Sequence, residues 1–107
     1  MPVFMCNEEV LRKILYEYPV SVVFNYTENN LKSRELMPVF NQLAENKAFK
    51  NAAFVAIDVD KEFISQGIPL TRNVPFISIY KRGLLVECRS FDTKENLIEI
   101  LNQTIKN

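Results

Sequence analysis

Two almost uninterrupted apolar runs limit most strongly how this chain can fold. Val20–Tyr26 has the sequence VSVVFNY, and residues 52–59 have the sequence AAFVAIDV. Short runs rich in β-branched and other apolar residues are typical of strands that are buried on both faces. A sheet with two buried faces needs helices on both sides, so the two runs predict an α/β domain.

The segments before and between these runs have helical spacing. Asn7 is the predicted N-cap of a first helix, and Pro19 ends that helix. A second helix is predicted from Arg34 to about Asn46, with Leu36, Phe40, Leu43 and Ala44 on its buried stripe. Pro38 lies inside the second helix, where a proline removes one backbone hydrogen bond and is expected to produce a kink.

The C-terminal part predicts a β-hairpin followed by a helix. PFISIYK and LLVECRSF flank KRG, and a tight turn at Gly83 makes the two strands antiparallel. Asp92, with Glu95 three residues later, is the predicted cap of the last helix. The buried stripe of that helix is predicted at Leu97, Ile98, Leu101 and Ile105.

Two weaker signals complete the predicted order. Residues 3–6 can form a short strand, and DKEFISQG can form a short helix with Asp60 as its cap and Gly67 as its stop. The order is then βαβαβαββα, a mixed central sheet with a parallel half, an antiparallel hairpin and helices on both faces. No linker or repeat interrupts residues 1–107, so one domain is expected.

Composition excludes most familiar enzyme classes. The chain has no histidine, which rules out Ser-His and Cys-His nucleophile pairs and zinc sites that need imidazole. Its two glycines cannot build a phosphate-binding loop. Asp58, Asp60 and Glu62 are too few for a metal site and are predicted to serve at a strand end and a helix cap, so neither a metal nor a cofactor is expected.

Charge and hydropathy limit the partners. Thirteen basic and thirteen acidic residues give a formal net charge of zero, which argues against nucleic-acid binding. No apolar run is long enough to cross a membrane, and the N-terminus lacks the pattern of a signal peptide. The cytoplasm is therefore the default expectation.

Several short sequences, in the right order, resemble the thioredoxin family over nearly the whole chain. VVFNYTENNLKSRELMPVF resembles the active-site strand, loop and kinked helix of the family, and IDVD resembles the end of its third strand. Val74-Pro75 resembles the dipeptide that contains the cis-proline facing the active site, and Gly83 resembles the hairpin glycine. The resemblance implies the thioredoxin fold.

The same resemblance shows which functional residues of the thioredoxin family are absent from this sequence. Asn30-Leu31-Lys32-Ser33 stands where thioredoxins have Cys-Gly-Pro-Cys, and thiol–disulfide exchange needs both sulfurs. The buried aspartate of the family falls at Phe24, its lysine partner at Ala56, and a tryptophan at Asn29. We therefore expect a redox-inactive, noncatalytic domain that has kept the scaffold and lost the dithiol chemistry.

The expected function is binding of a protein or an extended peptide at the former active-site face, as in noncatalytic domains of disulfide isomerases and in thioredoxin-like adaptors. In the family, the backbone beside the cis-proline holds the substrate. The predicted binding residues are Tyr26, Asn30, Leu31, Lys32, Ser33, Asn73, Val74 and Pro75.

Two alternatives use the same scaffold differently. Cys6 or Cys88 could carry a residual thiol–disulfide oxidoreductase activity, although small, buried, structural cysteines are the expected interpretation. Glutathione or another small anion could bind at the helix start near Lys32 and Arg34, because helix N-termini present free N–H groups and positive potential.

Overall fold

The computed structural model describes residues 4–5, 7–62 and 75–105. Its elements follow the predicted order, with one additional 3-10 turn at Lys47–Phe49. They are β1 (Phe4–Met5), α1 (Glu8–Glu17), β2 (Val20–Tyr26), α2 (Leu31–Ala44), β3 (Ala52–Asp58), α3 (Val59–Glu62), β4 (Phe76–Lys81), β5 (Leu84–Ser90) and α4 (Lys94–Ile105).

The strands form one five-stranded mixed sheet in the order β1-β3-β2-β4-β5. The first three strands are mutually parallel, with Val20 opposite Ala52 and Tyr26 opposite Asp58. Strand β4 is antiparallel to β2, and β5 is antiparallel to β4. The parallel half and the antiparallel hairpin are therefore confirmed.

Helices cover both faces of this sheet, as predicted. One face packs α2 and α4 on the inward side chains of β2, β3 and β4, around Phe24, Phe54 and Ile77. The other face packs α1 and α3 on Val23, Val55 and their neighbours. Strands β2 and β3 are consequently buried almost throughout, which explains why their sequences are continuous apolar runs.

The predicted N-cap of α1 is confirmed, whereas the predicted start of α2 is wrong. Asn7 Oδ1 accepts the N–H of Val10 at 2.9 Å. Helix α2 starts at Leu31 rather than at Arg34, because Asn30 Oδ1 accepts the N–H of Ser33 at 2.8 Å and caps it.

The residues that cap α3 and α4 also differ from the predicted ones. Asp58 at the end of β3, and not Asp60, accepts the N–H groups of Asp60 and Lys61, at 3.0 and 3.3 Å. Helix α4 is capped by Thr93, whose Oγ1 accepts the N–H of Asn96 at 3.0 Å, and not by Asp92. The predicted continuation of α3 to Gly67 lies outside the described residues.

The hairpin turn and the helix stripes confirm the sequence predictions. Arg82 and Gly83 have φ values of +54° and +80°, the left-handed pair that a tight two-residue hairpin turn requires. Pro38 lies inside α2 as expected. On α4, Leu97 and Leu101 are buried, Ile98 and Ile105 are half-buried, and Ile100 is an additional buried residue.

An aromatic cluster holds α2 on the sheet and provides a stability test. Phe24 is fully buried, and its ring centroid lies 5.0 Å from that of Phe40 and 5.8 Å from that of Phe91. We expect Phe24→Ala to lower the free energy of unfolding by about 3–5 kcal/mol, measured by urea denaturation. The matched Tyr16→Ala control, at a side chain that is 92% exposed, should change it by less than about 0.5 kcal/mol. Equal effects of the two substitutions would contradict this packing.

Candidate functional site

The candidate site is built at the carboxyl end of the central strand β2. The chain leaves β2 at Tyr26, turns through residues 27–30 and enters α2 at Leu31. The Asn30 side chain closes the turn by capping the helix, and the N–H of Thr27 donates to Ser33 Oγ at 3.4 Å. The junction is therefore a fixed turn in which two polar side chains satisfy backbone N–H groups.

Strand pairing brings Pro75 close to the same place. Asn25 lies opposite Phe76 in the antiparallel register, so one further step along each strand puts Pro75 beside Tyr26. The Asn25 side-chain amide fixes this junction by donating to the Phe76 carbonyl at 3.3 Å and to Ser78 Oγ at 3.1 Å. Pro75 itself is buried.

A groove of about 670 Å³ opens at this junction. Its apolar lining comes from Tyr26, Met37 and Pro38, and its charged lining from Glu28 and Arg34. Asn29 and Ser33 complete the lining. A partly apolar cleft with a few charged groups is typical of sites that bind peptides or small molecules.

The predicted residues 30–33 differ in what they offer to a ligand. Leu31 is 61% exposed, whereas Ser33 is only 1% exposed and its hydroxyl accepts the N–H of Thr27. Lys32 is exposed and lies 3.9 Å from Glu35 Oε2 and 3.5 Å from the Asp92 carbonyl. Asn30 uses its side-chain oxygen for the helix cap, which also takes the Ser33 N–H away from any anion at this helix start.

Tyr26 enters the groove as a neutral phenol. Burial raises the pKa of Tyr26 above its ordinary value, and the carboxylates of Asp58 and Glu28 raise it further. Glu28 is balanced in part by Lys61, whose Nζ lies 3.9 Å from Glu28 Oε1. The phenol thus remains available as a hydrogen-bond donor throughout the neutral range.

Of the eight predicted site residues, Tyr26 and Ser33 line the groove. Asn30, Leu31 and Lys32 lie at the same start of α2, and Pro75 directly precedes Phe76, which pairs with Asn25. Asn73 and Val74, and the geometry of the bond between Val74 and Pro75, lie outside the described residues. The other lining residues were not among the predicted site residues: Glu28, Asn29, Arg34, Met37 and Pro38. Helical spacing could have indicated Met37, since it follows Ser33 by four positions and shares its face of α2.

The environment beneath the site is apolar. Phe24 and Ala56, where the resemblance places the proton-handling aspartate and its lysine partner, are opposite each other in β2 and β3. Phe24 is 0% exposed and Ala56 is 1% exposed. No ionisable group occupies either position, so the positions that handle protons in the family form part of the hydrophobic core here.

Cys88, the one cysteine among the described residues, lies two strands away from the strand that leads into the turn at residues 27–30. Cys88 is in β5, two strands away from β2, with its Sγ 3.8 Å from Ser78 Oγ. It is half-buried rather than buried, which corrects the expectation of a core cysteine, because edge strand β5 is covered less than the central strands. Cys6 lies outside the residues whose structure is described.

Within the described ranges, no three histidine, cysteine, aspartate or glutamate side chains come together as a possible metal site. Asp58 serves instead as the cap of α3. No helix in this part of the chain has the length and apolarity needed to cross a membrane.

Comparison with known proteins defines the fold. The thioredoxin of Plasmodium falciparum has a TM-score of 0.81 at 13% identity, covering 97% of this chain and 99% of that one. Spinach chloroplast thioredoxin f gives 0.80 at 20% identity, covering 99% and 88%. A single-residue mutant of the thioredoxin of Halobacterium salinarum gives 0.79 at 21% identity, covering 95% and 89%. The chain therefore has the thioredoxin fold.

The comparisons by sequence add no family assignment. No protein-family model matches this chain, and no curated protein matches it significantly. At identities this low, the structural likeness shows the fold and leaves the activity to be argued from the site.

The cap at Asn30 can be tested separately from any ligand. Asn30→Ala should lower the free energy of unfolding by about 0.5–2 kcal/mol, because the N–H of Ser33 loses its acceptor. Asn30→Asp retains an acceptor at the same position and should cost much less. Urea denaturation of both variants provides the measurement, and equal losses would show that Asn30 does not act as the cap.

The buried phenol predicts a pH-dependent stability. Because the folded-state pKa of Tyr26 is raised, the folded protein keeps this proton when the unfolded chain, with a pKa of about 10, has lost it. The stabilising contribution of the neutral phenol is therefore present below about pH 10 and is lost as the pH rises further. Denaturation of the wild type and Tyr26→Phe between about pH 8 and pH 11 should show a shallower alkaline loss in the variant. A stability difference that is independent of pH would contradict the raised pKa.

Proposed function

We propose that this protein is a noncatalytic thioredoxin-fold domain that binds an extended segment of a partner protein at the face formed by residues 30–33 and the Pro75 loop. The observation that carries the proposal is the groove of about 670 Å³ at the end of β2, beside a helix start that contains no thiol. The scaffold that positions chemistry in thioredoxins here positions only contact groups.

The shape and lining of the groove favour a peptide. Tyr26, Met37 and Pro38 supply apolar surface along the cleft, and Leu31 adds an exposed apolar side chain on the same helix start. Clefts lined mostly by apolar side chains with a few polar or charged groups are common binding sites in other proteins. The ligand we propose is therefore a short extended segment with at least one apolar side chain.

The charges suggest one further feature of the ligand. Glu28 already faces Lys61, whereas no carboxylate of the described residues pairs with the exposed Arg34 guanidinium. Arginine recognises carboxylates through two parallel N–H groups. An acidic residue beside the apolar one is therefore expected in preferred peptides.

The absence of catalysis rests on chemistry that the sequence lacks. Thiol–disulfide exchange requires an attacking thiolate and a resolving thiol, and Asn30 and Ser33 can supply neither. Phe24 and Ala56, where the resemblance places the proton-handling pair, are both apolar and can transfer no proton. Of the two alternatives, residual chemistry at Cys88 would have to occur away from the groove, and anion binding would compete with the Asn30 cap and with Glu35.

Peptide selection gives a direct test of the proposed face. A phage-displayed library of random linear peptides is selected on the purified chain, and the affinity of selected peptides is measured by fluorescence anisotropy. Leu31→Asp and Arg34→Glu should each weaken binding at least about tenfold, since each removes a contact and places negative charge beside an acidic ligand. Both side chains are exposed, so the fold should be unchanged.

Two matched controls keep this test specific. Tyr16→Asp introduces the same charge at a fully solvated position on α1, and Lys47→Glu reverses a charge in the 3-10 turn. Neither control should alter peptide affinity. Selected peptides that bind all four variants equally would place the ligand elsewhere and refute the proposed face.

A further inference from the structure

Strand β5 forms one edge of the described sheet, where its sole paired neighbour is β4. At its start, Leu84, Leu85 and Val86 are 72%, 55% and 48% exposed. Consecutive exposed apolar residues on an edge strand are unusual in a monomer, because the unpaired backbone groups of such an edge readily accept another strand. This edge therefore has the features of an interaction surface.

The backbone of Cys88 is directed toward this free edge. The Phe76 carbonyl points toward β2, because it accepts a hydrogen bond from the side-chain amide of Asn25. The N–H and C=O groups of alternate residues in a strand point to the same side, so those of Ser78 also point toward β2. Cys88 lies opposite Ser78, and in such a non-hydrogen-bonded pair the backbone N–H and C=O groups of Cys88 point away from β4. Its N–H donates to the Glu87 carboxylate at 3.2 Å, which satisfies the donor while no second strand is present.

The charge pattern of β5 is complementary to itself in one antiparallel register. If two copies of β5 pair about a two-fold axis at Cys88, Glu87 of each copy comes opposite Arg89 of the other. An axis at Glu87 would place two carboxylates opposite each other, and an axis at Arg89 would place two guanidinium groups opposite each other. Opposite charges across a strand pair stabilise it and like charges destabilise it.

We propose that β5 pairs with β5 of a second copy of this chain, antiparallel and centred on Cys88, so that two five-stranded sheets become one continuous sheet. The Cys88 N–H then leaves the Glu87 carboxylate and donates to the Cys88 carbonyl of the other copy, which frees Glu87 to face Arg89. Val86, which the register shift leaves without a partner on β4, comes next to Ser90 of the second copy and loses part of its exposure to water.

The dimer is expected to be weak. A single strand pair of this length buries less surface than the interfaces of stable dimers, so association should appear only at high protein concentration. The proposed peptide groove lies at the end of β2 and contains no β5 residue, so the two surfaces can be tested independently.

Charge exchange tests both the surface and its register. Sedimentation velocity of the native chain from about 1 µM to about 1 mM should show a monomer–dimer equilibrium. Glu87→Arg and Arg89→Glu should each weaken the dimer at least about tenfold, because each places like charges opposite each other at both symmetric positions. The double variant Glu87→Arg/Arg89→Glu restores the complementarity and should restore the dimer.

Cross-linking locates the symmetry axis. In a hydrogen-bonded antiparallel pair, the two Cys88 Cα atoms would lie about 5.5 Å apart, a separation that a disulfide can span. In a Cys6→Ser background, the two S–H bonds of the paired Cys88 thiols break and one S–S bond forms, while diamide accepts the two protons and two electrons and becomes the hydrazine. A covalent dimer that forms in this background, and not after Cys88→Ser, supports the register.

Three results would overturn the proposal. They are a chain that stays monomeric up to about 1 mM, a dimer that the single charge reversals do not weaken, and a double variant that fails to recover. If the chain stays monomeric, the proposal fails, and pairing of β5 with a strand of a different protein would not rescue it. Circular dichroism of each variant confirms that the fold is intact before association is compared.

Discussion

The packing of Phe24 at the centre of β2 is the contact on which the site depends. Its ring is stacked on Phe40 of α2 and lies against Phe91 just before α4, so one buried side chain joins the sheet to both helices on this face. Because α2 is held there, its first turn, with Asn30 and Leu31, is fixed beside the end of β2. The same side chain fills the position at which the resemblance to thioredoxins places a buried acid, so an apolar contact takes that place in this chain.

Much of the fold could be predicted because the strongest sequence signals come from burial. The runs at β2 and β3 are apolar because both faces are covered, and the stripes of α2 and α4 follow the sheet they contact. The starts of three helices were wrong because several capping residues lie close together in the sequence. Asp58 and Asp60, or Asp92 and Thr93, compete as caps, and backbone geometry alone decides between them.

The groove could be predicted in location but only partly in composition. Motif order indicated that the end of β2 and Pro75 meet, and the antiparallel register ends with Asn25 opposite Phe76, one residue short of Tyr26 and Pro75. The role of Glu28 depends on how the turn folds back against α2, which no local pattern records, whereas the helical spacing from Ser33 could have indicated Met37. The half-exposure of Cys88 likewise follows from the edge position of β5, and sequence alone did not indicate which strand would be at the edge.

The proposals concern two separate surfaces of this fold, a groove at the end of β2 and the edge strand β5. The central claim is that binding no longer involves sulfur chemistry. Insulin reduction with dithiothreitol as the electron donor tests this claim most directly, comparing the wild type with Cys6→Ser/Cys88→Ser. The account predicts that neither protein accelerates the reaction above the rate with dithiothreitol alone. Turnover by the wild type that the double variant lacks would contradict it.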